Sequence, residues 1–320
     1  MQKPTAVFLD RATIGPDVEM SPLEDLVDIE YFDFTEATSV VDRIADAEIV
    51  VANKTPIDRS AMERLEQTRL IVLTATGADN VDSSAARERG IAVANIRSYC
   101  NASVVQHVFA LILGLTQHSH RYDELVRRGK WHASRTFALF DFPIRELAGL
   151  NLGIVGYGSL GRSVGELGRC FGMNLLISAR PGSDVSPSPG RIPFDEVLAA
   201  ADVLSLHCPL TQATRHLLDA DAFRRMKNDA ILINTARGGL VDSAALVAAL
   251  RTGEIAAAGI DVLDPEPPDP AEPLLNTNLR NLFITPHIAW ATREARQRAV
   301  DQAAENIAAF LRGDELRRIV

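Results

Sequence analysis

The stretch Asn151-Leu-Gly-Ile-Val155, followed by Gly156-Tyr157-Gly158-Ser159-Leu160-Gly161, decides the fold of this chain. An apolar run typical of a buried strand meets glycines spaced G-x-G-x-x-G, and a helix is predicted to begin near Ser159. In such a turn the glycines permit the bend, the approach of a pyrophosphate and close helix packing. The stretch therefore predicts a dinucleotide-binding α/β unit, with a simple glycine-rich turn as the alternative.

The strand predicted over Asn174–Ser178 ends without an acidic residue. An NAD-binding unit presents Asp or Glu about 20 residues after the glycines, to bind the ribose hydroxyls. This chain has Ala179 followed by Arg180, whose planar guanidinium suits a 2′-phosphate. We therefore predict NADP in preference to NAD; the alternative is that Arg180 is a solvated loop residue.

Three later segments each place an ionisable side chain just past an apolar run: Thr235-Ala236-Arg237-Gly-Gly239, Asp264-Pro-Glu266-Pro267 and Thr285-Pro-His287-Ile-Ala-Trp290. Ligands of open parallel sheets bind at the carboxyl ends of the strands, so these side chains are predicted to face one place. A cation, a carboxylate and an imidazole suit the transfer of hydride and a proton to a carbonyl beside a carboxylate. A helix-start arginine and a loop glutamate are the structural alternatives.

The first hundred residues alternate apolar runs with helical patterns, which indicates a parallel sheet covered by helices. The predicted strands are Ala6–Leu9, Ile29–Phe34, Glu48–Ala52, Leu70–Thr74 and Ile91–Asn95. A long helix is predicted over Ala102–His120, with His107 as a satisfied core histidine. The last helix is predicted over Thr292–Leu311, with Thr292 as N-cap and Gly313 as stop.

Composition limits the possible partners. The 320 residues suggest two domains, and 47% hydrophobic with 23% charged residues is typical of a globular protein. The net charge of −9 argues against nucleic-acid or anionic-membrane partners. The three cysteines are far apart, so we expect reduced thiols, no metal and a cytoplasmic location; no signal-peptide stretch is evident at the start.

Two segments are predicted to be irregular. Trp131–Gly149 contains Trp131 and three phenylalanines with little periodicity, so it is expected to pack on another surface, or else to fold back on its own domain. Pro181–Pro193 is rich in proline and predicts a surface loop.

The order and spacing of these motifs over nearly the whole chain resemble the D-isomer-specific 2-hydroxyacid dehydrogenases, and among them the glycerate dehydrogenase or hydroxypyruvate reductase branch. The resemblance implies two Rossmann-like, flavodoxin-like parallel-sheet domains with a cleft between them. It implies a discontinuous substrate domain of residues 1–100 plus 289–320 and a dinucleotide-binding domain of residues 101–288. It also implies a homodimer, with the 131–149 arm crossing to a partner subunit.

The resemblance also implies residue roles. Arg237 would bind the substrate carboxylate, His287 would be the general acid–base, and Glu266 would orient the imidazole. The implied substrate-binding residues are Lys54, Thr76, Gly77 and Trp290, with a solvated loop lysine as the alternative for Lys54. The implied cofactor contacts beyond the glycine loop are His207, Cys208, Pro209, Thr214, Thr235, Ala236, Arg237, Asp261 and His287. For Asp261, capping of the following turn is the alternative to binding the nicotinamide carboxamide.

The expected reaction is reversible reduction of a small 2-keto acid, hydroxypyruvate or glyoxylate, to the D-2-hydroxy acid. Two other functions stay open at this point. One is a dinucleotide-sensing, corepressor-like binding protein of the same fold. The other is a phosphoglycerate dehydrogenase without a regulatory domain.

Overall fold

The computed structural model describes residues 3–181 and 190–320, so most of the predicted Pro181–Pro193 loop lies outside the described residues. The chain divides into two compact units. Unit 1 comprises Met1–Cys100 and Trp290–Val320, and unit 2 comprises Asn101–Ala289.

The regular elements are short and alternate along the chain. The strands are β1 (Thr5–Phe8), β2 (Asp28–Tyr31), β3 (Ile49–Ala52), β4 (Leu70–Leu73), β5 (Ala92–Ala94), β6 (Asn151–Val155), β7 (Asn174–Ile177), β8 (Val203–Leu206), β9 (Ile231–Asn234), β10 (Ala257–Ile260) and β11 (Leu282–Ile284). The helices are α1 (Ser21–Glu24), α2 (Val40–Ile44), α3 (Arg59–Met62), α4 (Ser83–Glu88), α5 (Asn101–Gln117), α6 (Ser119–Arg127), α7 (Ser159–Cys170), α8 (Phe194–Ala200), α9 (Ala220–Arg225), α10 (Ser243–Thr252) and α11 (Arg293–Arg312).

Unit 1 is a parallel sheet in the order β2-β1-β3-β4-β5. Every residue of β3 and β4 is buried, because helices cover both faces of the sheet and leave neither to water. Successive residues of β1 point to opposite faces, so Val7 and Phe8 enter different apolar clusters. Helix α11 packs against α1 and β4, which returns the end of the chain to this unit.

Unit 2 is a parallel sheet in the order β11-β10-β9-β8-β6-β7. The chain passes from β6 to β7 on one side and then crosses to β8 on the other. The strand order therefore reverses at the carboxyl end of β6, which is where ligands bind in sheets of this kind. Two parallel-sheet α/β units confirm the predicted fold class.

Two predicted helices had different outcomes. The predicted helix Ala102–His120 is wrong as one element, because α5 ends at Gln117 and His118 adopts a left-handed φ of 51° before α6. The C-terminal prediction is confirmed: the Thr292 hydroxyl caps α11 by accepting from Ala295 N at 3.3 Å, and Gly313 ends it with a φ of 83°. Among the described residues, no helix is long and apolar enough to cross a membrane.

Candidate active site

The glycine loop lies at the reversal point of unit 2. Gly156 has a φ of +94°, and a Cβ there would lie 2.5 Å from the backbone N of Cys208. A Cβ on Gly161 would lie 2.1 Å from the carbonyl oxygen of Gly156, so the start of α7 rests directly on the turn. At Gly158, by contrast, a Cβ would meet nothing within 4 Å among the described residues. The open side of the loop, at the N-terminus of a 12-residue helix, fits a dinucleotide pyrophosphate.

The segment after β8 forms one wall beside that loop. The Thr214 hydroxyl donates to Pro209 O at 2.8 Å and accepts from Thr211 N at 2.8 Å, which fixes the turn. The His207 ring lies 2.9 Å from Ser205 Oγ, and burial lowers the pKa of His207 to about 4. His207 is therefore neutral near pH 7, and burial also raises the pKa of the Cys208 thiol.

The end of β7 carries the predicted cofactor-selecting residues. Ser178 is buried, and Ala179 N donates to Ile192 O at 2.8 Å, so the backbone is held there. Arg180 follows with an exposed side chain. A second cation is close, because the Arg191 guanidinium donates to Ser178 O at 3.0 Å. Neither Ala179 nor Arg180 places a carboxylate at the strand end.

His287 and Glu266 form the centre of the site. Nδ1 of His287 lies 2.6 Å from Glu266 Oε2, and the other oxygen, Oε1, accepts from Leu263 N at 3.0 Å. The side chains are 27% and 34% exposed, respectively, so the pair is reachable from solvent. The backbone bond orients the carboxylate, and the carboxylate in turn fixes one nitrogen of the ring. The predicted pairing of Glu266 with His287 is thus present in the structure.

Gly238 brings the arginine segment to this pair. A Cβ on Gly238 would lie 2.0 Å from the carbonyl carbon of Leu263, so only glycine fits where these two strand-end segments touch. Arg237 immediately precedes this contact, with its guanidinium donating to Ala236 O at 2.7 Å. Arg237 also directly precedes a 3-10 helix, Gly238–Leu240, so its position agrees with the structural alternative as well.

Thr235 supplies one unusual atom. Its hydroxyl oxygen is buried and has no hydrogen-bond partner among the described residues. Buried hydroxyls are normally satisfied, so this one suits a polar group of a bound ligand. In the same described part of the chain, no group of three His, Cys, Asp or Glu residues is placed to hold a metal ion.

Asp261 holds the turn that carries His287. Its Oδ1 accepts from the Thr285 hydroxyl at 2.6 Å and from Ile288 N at 2.9 Å, and its Oδ2 accepts from Ala289 N at 2.9 Å. His287 itself has a φ of +54°, and its N–H donates to the carbonyl of Asp261 at 2.8 Å. These contacts lie 24–28 residues beyond Asp261, in the turn after β11, whereas the capping alternative concerned the turn that directly follows Asp261. Binding of the nicotinamide carboxamide by Asp261 stays a prediction.

His107 is a residue whose place sequence reasoning missed. It was expected to be a satisfied core histidine, and its Nε2 indeed has a partner, the Thr285 hydroxyl at 3.0 Å. That hydroxyl already donates to Asp261, so Nε2 of His107 must be the donor. The sequence pattern of α5 could not reveal this contact, because Thr285 is 178 residues away in the chain.

The predicted substrate residues of unit 1 lie at its own strand ends. Lys54 follows β3 with an exposed side chain, and Thr76 and Gly77 follow β4 in an irregular turn. Trp290 packs edge-on against Tyr99, with ring centroids 6.3 Å apart. In unit 1 the Thr76 carbonyl is held by Asn95 Nδ2 at 2.7 Å.

Comparison with known proteins decides the family. Residues 109–289 match the model of the D-isomer specific 2-hydroxyacid dehydrogenase, NAD binding domain. A glycerate dehydrogenase of Methylorubrum extorquens is 41% identical over 310 residues, which cover 96% of each chain. The chain belongs to the D-isomer specific 2-hydroxyacid dehydrogenase family.

Two further relatives extend the comparison. A hydroxypyruvate reductase of Blautia hydrogenotrophica is 38% identical over 96% of this chain and 97% of its own. A solved acyclic imino acid reductase, in complex with NADPH and D-Arg, matches with a TM-score of 0.85 and 25% identity, covering 99% of this chain and 100% of its own. The enzyme is an oxidoreductase that uses a nicotinamide dinucleotide, and these matches favour that function over a corepressor-like binding protein.

Proposed function

We propose that this enzyme reduces hydroxypyruvate or glyoxylate to the D-2-hydroxy acid, with NADPH as the preferred donor. The observation that carries the proposal is the 2.6 Å contact between His287 and Glu266, beside the Arg237 segment. The names of two relatives, glycerate dehydrogenase and hydroxypyruvate reductase, support a small hydroxylated substrate.

In this proposal His287 is the proton donor. Nδ1 of His287 is hydrogen-bonded to Glu266, so the proton that reaches the substrate oxygen leaves from Nε2 of the ring. The carboxylate charge stabilises the imidazolium before transfer and holds the ring in place. The nicotinamide ring, when bound, supplies the hydride. After transfer the imidazole is neutral, and it accepts the proton back from solvent or, in the reverse reaction, from the hydroxyl group.

Arg237 is assigned to the substrate carboxylate. Its guanidinium offers two parallel N–H donors, which match a carboxylate better than the single point charge of lysine. In unit 1 the proposal assigns substrate contacts to Lys54, to the backbone amides of Thr76 and Gly77, and to Trp290. Successive amides of a strand-to-helix turn suit an anion.

The test is a panel of 2-keto acids assayed by oxidation of NADPH and of NADH. We expect the highest kcat/KM for hydroxypyruvate or glyoxylate, and products of the D configuration. If the best substrate is instead a bulky apolar keto acid, or if no keto acid is reduced, the substrate assignment is wrong.

The cofactor preference is assigned to the end of β7. A tenfold cofactor preference requires only about 1.4 kcal/mol of differential binding. Because Arg180 is exposed and can bind the 2′-phosphate, we expect NADPH to exceed NADH by at least about tenfold in kcat/KM. The double variant Ala179→Asp, Arg180→Ala should reverse the preference. Arg169→Ala, which removes another exposed arginine of unit 2, is the control. Equal use of both cofactors by the unmodified enzyme would exclude this role for Arg180.

The enzyme is further proposed to be a homodimer. In the 131–149 arm Phe137 and Phe140 are 91% and 85% exposed, and Trp131 is 52% exposed. Unit 2 also has an apolar pocket of about 730 Å³ between α5 and α7, lined by residues that include Val105 and Phe109. Exposed aromatic area of this kind usually marks an interface. Sedimentation analysis should give a dimer, and Phe137→Ser with Phe140→Ser should shift it toward monomer.

A further inference from the structure

Asp10 is a buried acid that the proposed chemistry does not use. It lies two residues beyond β1 and is 3% exposed. Its Oδ1 accepts from Asn53 N at 2.8 Å, and its Oδ2 accepts from Lys54 N at 2.6 Å and from Thr55 N at 2.8 Å. The Thr55 hydroxyl donates a fourth bond, at 3.0 Å. A carboxylate has room for about four donors, so this one is filled by a single loop.

The loop that Asp10 holds is the one that carries Lys54. Asn53 and Thr55 are buried, whereas the Lys54 side chain between them is exposed. The backbone of the lysine is therefore fixed on both sides while its side chain is exposed. A free loop would spread that ammonium over many positions, and fixing it removes an entropic cost of binding.

The same anchor extends to the neighbouring loop. Asn80 Nδ2 donates to Thr55 O at 2.9 Å, and Ile57 N donates to Asn80 O at 2.7 Å. Asn80 belongs to the turn that follows Thr76 and Gly77. The loop after β3 and the loop after β4 are thus joined through Ile57 and through Thr55, and the Asp10 carboxylate holds Thr55.

We infer that Asp10 is a positioning residue for Lys54, and through it for the binding of the anionic keto acid. The inference rests on the proposed function, because that function places Lys54 at the substrate. Asp10 itself is assigned no contact with a reacting atom, because both of its carboxylate oxygens accept hydrogen bonds from backbone and hydroxyl donors of unit 1.

The first experiment is a double-mutant cycle of Asp10→Asn and Lys54→Met in the full-length enzyme. An asparagine amide would point N–H groups at the loop N–H groups, so Asp10→Asn should raise KM for the keto acid about tenfold, with kcat within about twofold and cofactor Kd unchanged. In the Lys54→Met background the same substitution should change KM by less than about twofold. An unchanged KM, or an equal rise in both backgrounds, overturns the inference.

Two further variants guard against a simple loss of folding. Thr55→Val removes one donor to Asp10 at nearly constant volume and should raise KM in the same direction by a smaller factor. Asp58→Asn is the matched control, because Asp58 caps α3 through Ala61 N at 2.9 Å only three residues beyond Thr55. It should leave KM unchanged; a rise equal to that of Asp10→Asn would count against Asp10.

A second measurement does not depend on activity. Hydrogen exchange of the 50–57 peptide should quicken in Asp10→Asn and stay as in the wild type in Asp58→Asn. If no keto acid is reduced but exchange quickens, the proposed function fails while the anchoring by Asp10 stands. If exchange is unchanged, the anchoring itself is wrong.

Discussion

In each unit a buried aspartate accepts hydrogen bonds from a loop at the strand ends, but the two loops differ in backbone conformation. In each unit a buried aspartate just past one strand binds the loop that follows the adjacent strand: Asp10 after β1 holds the loop after β3, and Asp261 after β10 holds the loop after β11. Asp10 fixes an exposed lysine, whereas Asp261 maintains a turn in which His287 has a left-handed φ of +54°. The loop after β3 is held by the hydrogen bonds that it donates to Asp10. The loop after β11 is held by Asp261 with His287 in a backbone conformation that L-residues seldom adopt.

The largest effect is expected at His287, the residue proposed as the proton donor. His287→Ala should lower kcat about 10²–10⁴-fold, because the general acid is lost, while cofactor Kd stays nearly unchanged. His216→Ala is a matched control, since His216 also has a left-handed φ, of 50°, and lies 4.0 Å from the carboxylate of Asp242. Steady-state kinetics of both variants checks this, and near-normal turnover of the His287 variant would remove the proton-donor role.

An intermediate effect is expected for the aspartate of unit 2. Asp261→Asn replaces one carboxylate oxygen with an NH2 group, which cannot accept a hydrogen bond, so the turn carrying His287 should loosen and kcat should fall about 10–100-fold. The comparison predicts a split: Asp261→Asn acts mainly on kcat, and Asp10→Asn mainly on KM. The same kinetic parameter changing in both variants would show that the two aspartates do not have distinct roles. Thermal melts of the two variants control for lost stability.

The smallest effect is expected at Glu266. Glu266→Gln removes the negative charge beside the ring while keeping an oxygen for Leu263 N. The His287 ring then loses its charged partner, so kcat for keto-acid reduction should fall about fivefold, a modest loss because the pair is partly exposed to solvent. Steady-state kinetics of the variant measures this. An unchanged kcat in a folded variant would separate Glu266 from the mechanism.

Local patterns were sufficient for the strands and for the glycine loop. Apolar runs such as Asn151–Val155 and the glycine spacing that follows depend on neighbours in the sequence, so they could be predicted. The break between α5 and α6 at His118 could not, because no glycine or proline marks it. Residue roles based on the family resemblance, such as carboxylate binding by Arg237, stay predictions.

The anchoring residues were missed for a different reason. Asp10 is a single acid, and its partners are 43–45 residues away in the sequence, so no spacing reveals them. The contact of Gly238 with Leu263 likewise joins segments that are separate in the chain. The partners of Asp261 lie 24–28 residues away, in the turn after β11, so neither interpretation of this residue from the sequence reveals them. Long-range contacts between strand ends therefore need the folded chain.

The Gly238–Leu263 contact has a practical consequence for protein engineering. Where the arginine segment approaches the glutamate segment at Gly238, backbone atoms lie directly against backbone atoms. Apolar substitutions in the interior of unit 2, made to raise heat resistance, should therefore leave the catalytic geometry intact. Gly238→Ala should do the opposite, disabling turnover through one added methyl group. Directed-evolution libraries for a new substrate should accordingly keep this glycine constant and vary the side chains around it.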